Sequence, residues 1–220
     1  MPEQAKNQSS IFLESEGDSW FERNKAALAG QAQHHEVQTL RRVLLPFKDR
    51  IHRILEIGCG NGAKLHDLCQ QFDAEGCGID PSAAAVEHGG IAYPALDLTV
   101  GTAARLPHDS ESFDIVVFGF CLYLVDRSDL MQAVAEADRV LKSGGFLAIV
   151  DFDPKLRHKR PYHHRPGLFS YKNSHADFFT AGGHYYLVAK ESFSHAAHHF
   201  ATDSDERVSM CILYKEPESY

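Results

Sequence analysis

RILEIGCGNGAKLHDLCQQFDAEGCGID, residues 53–80, is the stretch on which the reading of this chain turns. An apolar strand, Ile54 to Ile57, runs straight into glycines at Gly58, Gly60 and Gly62. Leu65, Leu68, Cys69 and Phe72 then recur at helical spacing, and a second short strand from Gly76 to Ile79 ends on an acid, Asp80. Glycines at a strand-to-helix turn let the backbone approach a ligand closely, and the helix that follows offers unpaired N–H groups. An acid closing the second strand can accept from a ribose diol. The pattern reads as a pocket for an adenosine-containing cofactor.

Outward from that stretch, composition sets the limits. The chain has 220 residues, enough for one well-filled domain, residues 1–220, and short for two. It is 44% hydrophobic and 24% charged, and its formal charge is −8. That balance argues against broad nucleic-acid or anionic-membrane binding. MPEQAKNQSS at the start has no apolar core of a leader peptide, and no apolar run reaches the roughly 20 residues that span a bilayer. The five cysteines are scattered through apolar segments with no CxxC pair, so reduced buried thiols and no metal site are expected. The expected location is the cytoplasm.

N-terminal to the glycine turn, residues 1–48 read as an arm and helices that cover the pocket. The first ten residues are expected to be a loose arm. Ser19 and Glu22 have capping-box spacing and predict a helix start near Ser19. Trp20, beside Phe21, either pins this arm to the core or supplies part of the pocket wall. Val37, Leu40 and Leu44, followed by Pro46, predict a helix over His35 to Leu45.

C-terminal to it, Pro81 and Ser82 open a helix, Asp97 to Val100 is a third strand and Phe113 to Phe118 a nearly all-apolar fourth, as a parallel strand covered on both faces requires. Leu130 to Leu141 is helical, ended by Gly144 and Gly145. Phe146 to Phe152 is a fifth strand, Tyr185 to Ala189 a sixth and Val208 to Tyr214 a seventh. The spacing of the last two makes the final strand antiparallel. The fold expected is an α/β, Rossmann-like, seven-stranded, mostly parallel sheet with helices on both faces.

Gly58, Gly60 and Ala63 can be set against a dinucleotide fingerprint with Asp80 about twenty residues on, which keeps a nicotinamide-dependent oxidoreductase open. Glu56, immediately ahead of the turn, is poorly placed for a pyrophosphate and better suited to a cofactor that carries an amino group and a positive centre. EIGCGNG (56–62), GID (78–80), GTAARLP (101–107), FDIVVFGF (113–120) and LKSGGFLAIVDF (141–152) resemble the successive motifs of class I S-adenosylmethionine-dependent methyltransferases. The resemblance implies S-adenosylmethionine as cofactor. It puts the turn of Gly58, Cys59 and Gly60 beneath the methionine part, Glu56 near its carboxypropyl end, Asp80 on the ribose hydroxyls and Pro81 against adenine. Where many members have an Asp before the alanine of the third motif, this chain has Thr102 before Ala103 and Ala104, so a backbone N–H there is expected to read adenine. Phe118 and Gly119 to Cys121 are expected to line the methyl-donor end. PYHHRPGLFSYK (161–172), together with WFERN (20–24), resembles a bacterial subgroup of these methyltransferases that acts on small molecules. A cofactor-binding scaffold without turnover is the alternative of a different class.

The acceptor side is expected in the loops after the fourth and fifth strands, at the C-terminal edge of the sheet. The expected catalytic residues there are Asp153, His163 and His164, the histidines as general bases because imidazole titrates near neutrality. His195, His198 and His199 rank below them. Residues 153–183 form a basic, histidine-rich insertion expected to be an acceptor-side lid. Its Lys155, Arg157, Lys159, Arg160 and Arg165 either recognise a phosphate or carboxylate on a small-molecule acceptor or balance acidic neighbours. Oxygen is favoured as the acceptor atom over nitrogen and carbon.

Overall fold

The structure is a computed structural model that describes residues 7–29, 34–195 and 199–218, the side chains of 27–29 excepted. Residues 1–6 of the expected loose arm, and His198, lie outside the described residues. Helix α1 (Gln8–Ile11) passes through a π-helical turn, Phe12–Glu16, directly into α2 (Gly17–Ala29). This corrects two expectations. The helix does not begin near Ser19, whose hydroxyl instead donates to the Ser15 carbonyl at 3.1 Å inside it. Nor are Gln8 to Ser10 loose: Asn7 and Ser9 hold the Asp129 carboxylate, and the Gln8 amide donates to the Leu124 and Phe169 carbonyls.

Next come α3 (His35–Leu44), β1 (Arg53–Ile57), α4 (Ala63–Phe72), β2 (Glu75–Asp80) and α5 (Ala83–Ala92). They are followed by β3 (Asp97–Val100), β4 (Phe113–Gly119), α6 (Leu130–Val140) and β5 (Leu141–Phe152). The C-terminal part holds β6 (His158–Pro161), β7 (Phe169–Lys172), α7 (Asp177–Thr180), β8 (Tyr185–Ser194) and β9 (Arg207–Lys215). The main sheet has the order β3-β2-β1-β4-β5-β9-β8, and only β9 runs against the rest. The seven-stranded, mostly parallel sheet with an antiparallel last strand is the expected one.

Alternation along each strand splits the core between the two faces. Leu55, Ile57, Val116, Phe118 and Ile149 pack on one side with α6 and α7. Ile54, Ile115, Val117, Ala148 and Val150 pack on the other with α3 and α4. Glu56 falls in the same register as Ile54 and is carried into the interior at 3% exposure. Strand order reverses between β1 and β4, so their C-terminal ends diverge and open a crevice, the place where open α/β sheets bind ligands. The insertion at 153–183 is not open loop: β6 and β7 pair antiparallel as a separate two-stranded sheet.

Candidate active site

The crevice is built by the glycine turn. Gly58 has φ +77° and Gly60 φ +55°, a backbone region that favours glycine. At Gly58 an added Cβ would come to 2.6 Å from the Cys121 Cβ, so β4 closes against the turn only because no side chain intervenes. At Gly60 an added Cβ would meet nothing within 4 Å, because this residue borders the cavity. The two positions therefore separate experimentally. Gly58→Ala is expected to lower the thermal unfolding midpoint more than Gly60→Ala. Gly60→Ala is expected to fold and to lose about tenfold in cofactor-product affinity by calorimetry, from strain of about 1 kcal/mol plus the intruding methyl. Equal affinity in Gly60→Ala and the unaltered protein would rule out a ligand over this turn.

Asp80, at the end of β2, accepts from Gly60 N–H at 2.8 Å with one oxygen and from Ser82 N–H at 2.9 Å with the other. Burial raises its pKa and those two N–H groups oppose the rise. Each oxygen keeps a lone pair for a further donor. Ser82 caps α5 by accepting from Ala85 N–H, and Pro81 precedes that cap. From above, Asp18 accepts from Ser82 Oγ (2.7 Å) and Ala84 N–H (3.0 Å), so α2 is docked as a roof beside Pro81. Gly17 allows this approach: a Cβ there would stand 3.0 Å from Ser82 N.

Together these elements enclose a cavity of about 520 Å³. Asp80, Pro81, Thr102, Ala103 and Ala104 line one end, and Gly58, Cys59 and Gly60 form its floor. Trp20 lines it from the roof, as one of the two sequence readings had it. Gly119 reaches it, whereas Phe118 does not: its side chain is fully buried in the core facing α6 and α7. That corrects the expectation for Phe118, since alternation along β4 turns its ring away from the crevice.

Two residues that sequence reading passed over stand at the Glu56 end. Lys64 and Glu36 both line the cavity. Lys64 Nζ lies 3.4 Å from Glu56 Oε1, and Glu56 Oε2, buried, has no hydrogen-bond partner among the described residues. Burial pushes the Glu56 carboxyl up to about 7, with Lys64 pulling the other way. Burial lowers the Lys64 ammonium, but Glu56 and Glu36 outweigh it and leave it raised. An orphaned carboxylate oxygen and a cation, side by side at the turn, fit a zwitterionic amino-acid group. The signal in the sequence was the position of Lys64, two residues past Gly62 in the first turn of α4, where side chains face back toward the crevice.

The expected catalytic set does not line the cavity. His163 and His164 are exposed on the connection between β6 and β7, and the His164 ring packs against Tyr162 at 5.3 Å. Asp153 is ion-paired with Lys190 at 2.7 Å. The physical reason is that β6 and β7 pair with each other and swing the histidine tip outward. At the end beyond Gly119 the residues that do line the cavity are Phe120, Tyr123, Phe193 and His195, with Phe12 from the π-helical turn. The His195 ring stacks on Phe120 (5.5 Å) and Phe152 (5.3 Å), both at 27°.

Tyr123 is positioned by a buried acid. Its N–H donates to Asp151 Oδ2 at 3.1 Å, and Phe152 N–H donates to Oδ1 at 2.7 Å. Burial raises the Asp151 carboxyl to about 7 and lowers the His175 imidazole, 4.0 Å away, to about 3. Both groups are neutral in the fold near pH 6, and their linkages have opposite sign. Asp151, raised in the fold, contributes stability present at low pH that is lost as pH rises toward 7. His175, depressed in the fold, contributes stability present above the ordinary imidazole range that is lost as pH falls toward 3. Relative to the unaltered protein, Asp151→Asn is expected to gain stability as pH rises from 4 to 7, and His175→Gln to gain it as pH falls over the same range, each by up to a few kcal/mol. Denaturant titrations across pH check this, and parallel curves for all three proteins would contradict it.

Residues 55–149 match the protein family described as methyltransferase domain. Residues 55–149 of the chain thus carry a methyltransferase domain, in line with its resemblance to class I S-adenosylmethionine-dependent methyltransferases. It is 27% identical over 124 residues to an uncharacterized methyltransferase from Synechocystis, covering 56% of each chain. It is 31% identical over 124 residues to an indolepyruvate C-methyltransferase from Streptomyces griseus, covering 53% of this chain and 38% of the relative. The chain spans about half the length, or less, of the curated relatives it matches. The fold of the Burkholderia thailandensis 1,6-didemethyltoxoflavin-N1-methyltransferase, solved with its substrate and S-adenosylhomocysteine, superposes with a TM-score of 0.71. That match covers 98% of this chain and 92% of the other at 13% identity, and shows likeness of fold. The methyltransferase domain thus accounts for the motif order, and the nicotinamide alternative gives way to S-adenosylmethionine as cofactor. Among the described residues no helix is long and apolar enough to cross a membrane, and no group of three or more His, Cys, Asp or Glu is placed to hold a metal ion.

Proposed function

We propose that this domain methylates a hydroxyl oxygen of a small molecule held between Gly119 and the rings at the far end of the cavity. The observation that carries the reading is the arrangement along one cavity: a diol acceptor at Asp80, a carboxylate–ammonium pair at Glu56 and Lys64, and an imidazole at His195. When bound, S-adenosylmethionine supplies an electrophilic methyl group on a sulfonium and departs as the neutral thioether. Asp80 accepts from the ribose hydroxyls. Glu56 in its ionised form receives the amino group and Lys64 the carboxylate, so the buried Glu56 sheds its proton as the cofactor enters. Backbone groups at Thr102, Ala103 and Ala104 face the adenine, with Pro81 and Trp20 beside it.

His195 serves as general base and takes the hydroxyl proton as the new O–CH₃ bond forms. It replaces His163 and His164 in that role. Tyr123 presents its phenol from the Asp151-anchored turn. Burial, followed by Asp151, keeps that phenol protonated by raising its pKa, so it acts as a donor or a wall and not as a base. Residues 7–26 and the β6–β7 hairpin close the cavity against water. Glu16, which is buried, joins them through Arg23 at 2.6 Å and through Arg165, while Arg23 also donates to the Tyr162 hydroxyl at 3.2 Å. Exclusion of water strengthens the electrostatics inside and protects the donor.

The relatives include a carbon methyltransferase and the structural neighbour is a ring-nitrogen methyltransferase, which sets the competing acceptor atoms. Incubation with methyl-labelled S-adenosylmethionine and a panel of hydroxyl, amine and activated-carbon acceptors, with mass analysis of products, tests the reading. Labelled methyl ethers are expected. Label confined to nitrogen or carbon would overturn the oxygen assignment.

A further inference from the structure

The basic insertion suggested an anionic acceptor, yet several of its charges are engaged elsewhere. Arg160 pairs with Asp205, Arg165 donates to Ser15 Oγ at 2.6 Å beside Glu16, and Lys159 Nζ sits 3.4 Å from the Phe169 ring centroid. Lys172 donates to the Asp205 carbonyl and lies 3.7 Å over the Phe152 ring. Among the described residues, none of these four lines the cavity. Lys64, which lines the cavity, is already taken up by Glu56 at 3.4 Å, next to Gly119, where an added Cβ would stand 2.5 Å from Glu56 Oε1. A phosphate or carboxylate at the acceptor end would be desolvated beside the Glu56 carboxylate and a cation already shared with it.

What that end does offer is rings. Phe120 carries φ +63°, a region a bulky side chain rarely enters, and its N–H is fixed to the Val150 carbonyl at 3.0 Å. Held in that backbone, its ring contacts Tyr123 at 5.2 Å, Phe152 at 5.0 Å and His195 at 5.5 Å. Strain maintained to aim one aromatic ring into a cavity calls for a ligand that uses the ring. Phe12 lines the cavity from the roof, so aromatic surface comes from two separate elements of the fold. Flat π-systems gain from offset and edge contacts with such walls beyond their area burial.

We infer that the acceptor is an uncharged, flat aromatic or conjugated ring that carries its nucleophilic group on the rim, seated against Phe120 and Tyr123 with that rim toward His195. The inference deepens the methyl-transfer reading and rests on it.

The test is calorimetric titration of the protein saturated with S-adenosylhomocysteine, using three probes that share one bicyclic carbon skeleton: 2-naphthol, its saturated counterpart decahydro-2-naphthol, and 2-naphthyl phosphate. The flat neutral probe is expected to bind at least about tenfold more tightly than either of the others, and Phe120→Leu is expected to weaken it by about two- to tenfold. Equal binding of the saturated probe would overturn the aromatic assignment without any variant being needed. Tighter binding of the phosphate would overturn the neutral one. Absence of all three in a protein that still binds S-adenosylhomocysteine would overturn the inference and leave the methyltransferase reading standing. Failure of S-adenosylhomocysteine itself to bind would overturn both.

Discussion

Replacing Asp80 with alanine is expected to weaken S-adenosylhomocysteine binding by about 100-fold or more, measured by calorimetry. The carboxylate stands at the end of β2 and lines the cavity, and hydrogen bonds to a charged group contribute about 1.5–3 kcal/mol each. Two ribose hydroxyls donating to it account for about two decades or more in affinity. A further loss follows from its other duty, because the same oxygens hold Gly60 N–H and Ser82 N–H and so set the mouth of the turn. Asp80→Asn separates these duties: its one carbonyl oxygen keeps part of each set, and an intermediate affinity is expected. Alanine and asparagine variants that bind like the unaltered protein would remove the diol assignment.

His195→Asn is expected to lower methyl transfer by about 10²–10⁴-fold near neutral pH, the range over which a positioned acid or base acts. Its affinity for S-adenosylhomocysteine is expected to stay within about twofold, since the His195 ring is held by Phe120 and Phe152 rather than by Asp80 or Glu56. His163→Ala and His164→Ala, at the exposed hairpin tip, are expected to change the rate by less than about threefold in comparison. A His195 variant with unaltered rate would return the base to another group.

The parts of this molecule that were legible in advance are those whose physics is local. The strand predicted at Gly76 to Ile79 is Glu75–Asp80, and the helix predicted at Leu130 to Leu141 is Leu130–Val140, because hydrophobic period and glycine punctuation act within one element. The glycines and Asp80 were legible for the same reason: a turn of positive φ and an acid at a strand end are written in a few adjacent residues.

What escaped the sequence depends on distant partners. Glu56 and Lys64 meet because α4 folds back over β1. His195 reaches the crevice because β9 pairs with both β5 and β8, which brings residues nearly eighty positions beyond Phe120 alongside it. The density of basic residues and histidines in 155–165 drew attention away from it, and only the fold reveals that Arg160 and Arg165 are taken up by Asp205 and Glu16, outside the insertion, while β6 pairs with β7. The start of the chain was misread for a related reason. Gln8 to Ser10 have little helical signal of their own and are held by Leu124, Asp126, Asp129 and Phe169.

The claim on which the account stands is that the crevice between β1 and β4 holds an adenosyl sulfur compound, with Asp80 on its sugar and Glu56 beside its amino group. A paired calorimetric titration of the unaltered protein with S-adenosylhomocysteine and with NADH tests it most directly. Saturable one-to-one binding of S-adenosylhomocysteine and none of NADH is the predicted result, and saturable NADH binding in a protein indifferent to S-adenosylhomocysteine would contradict it.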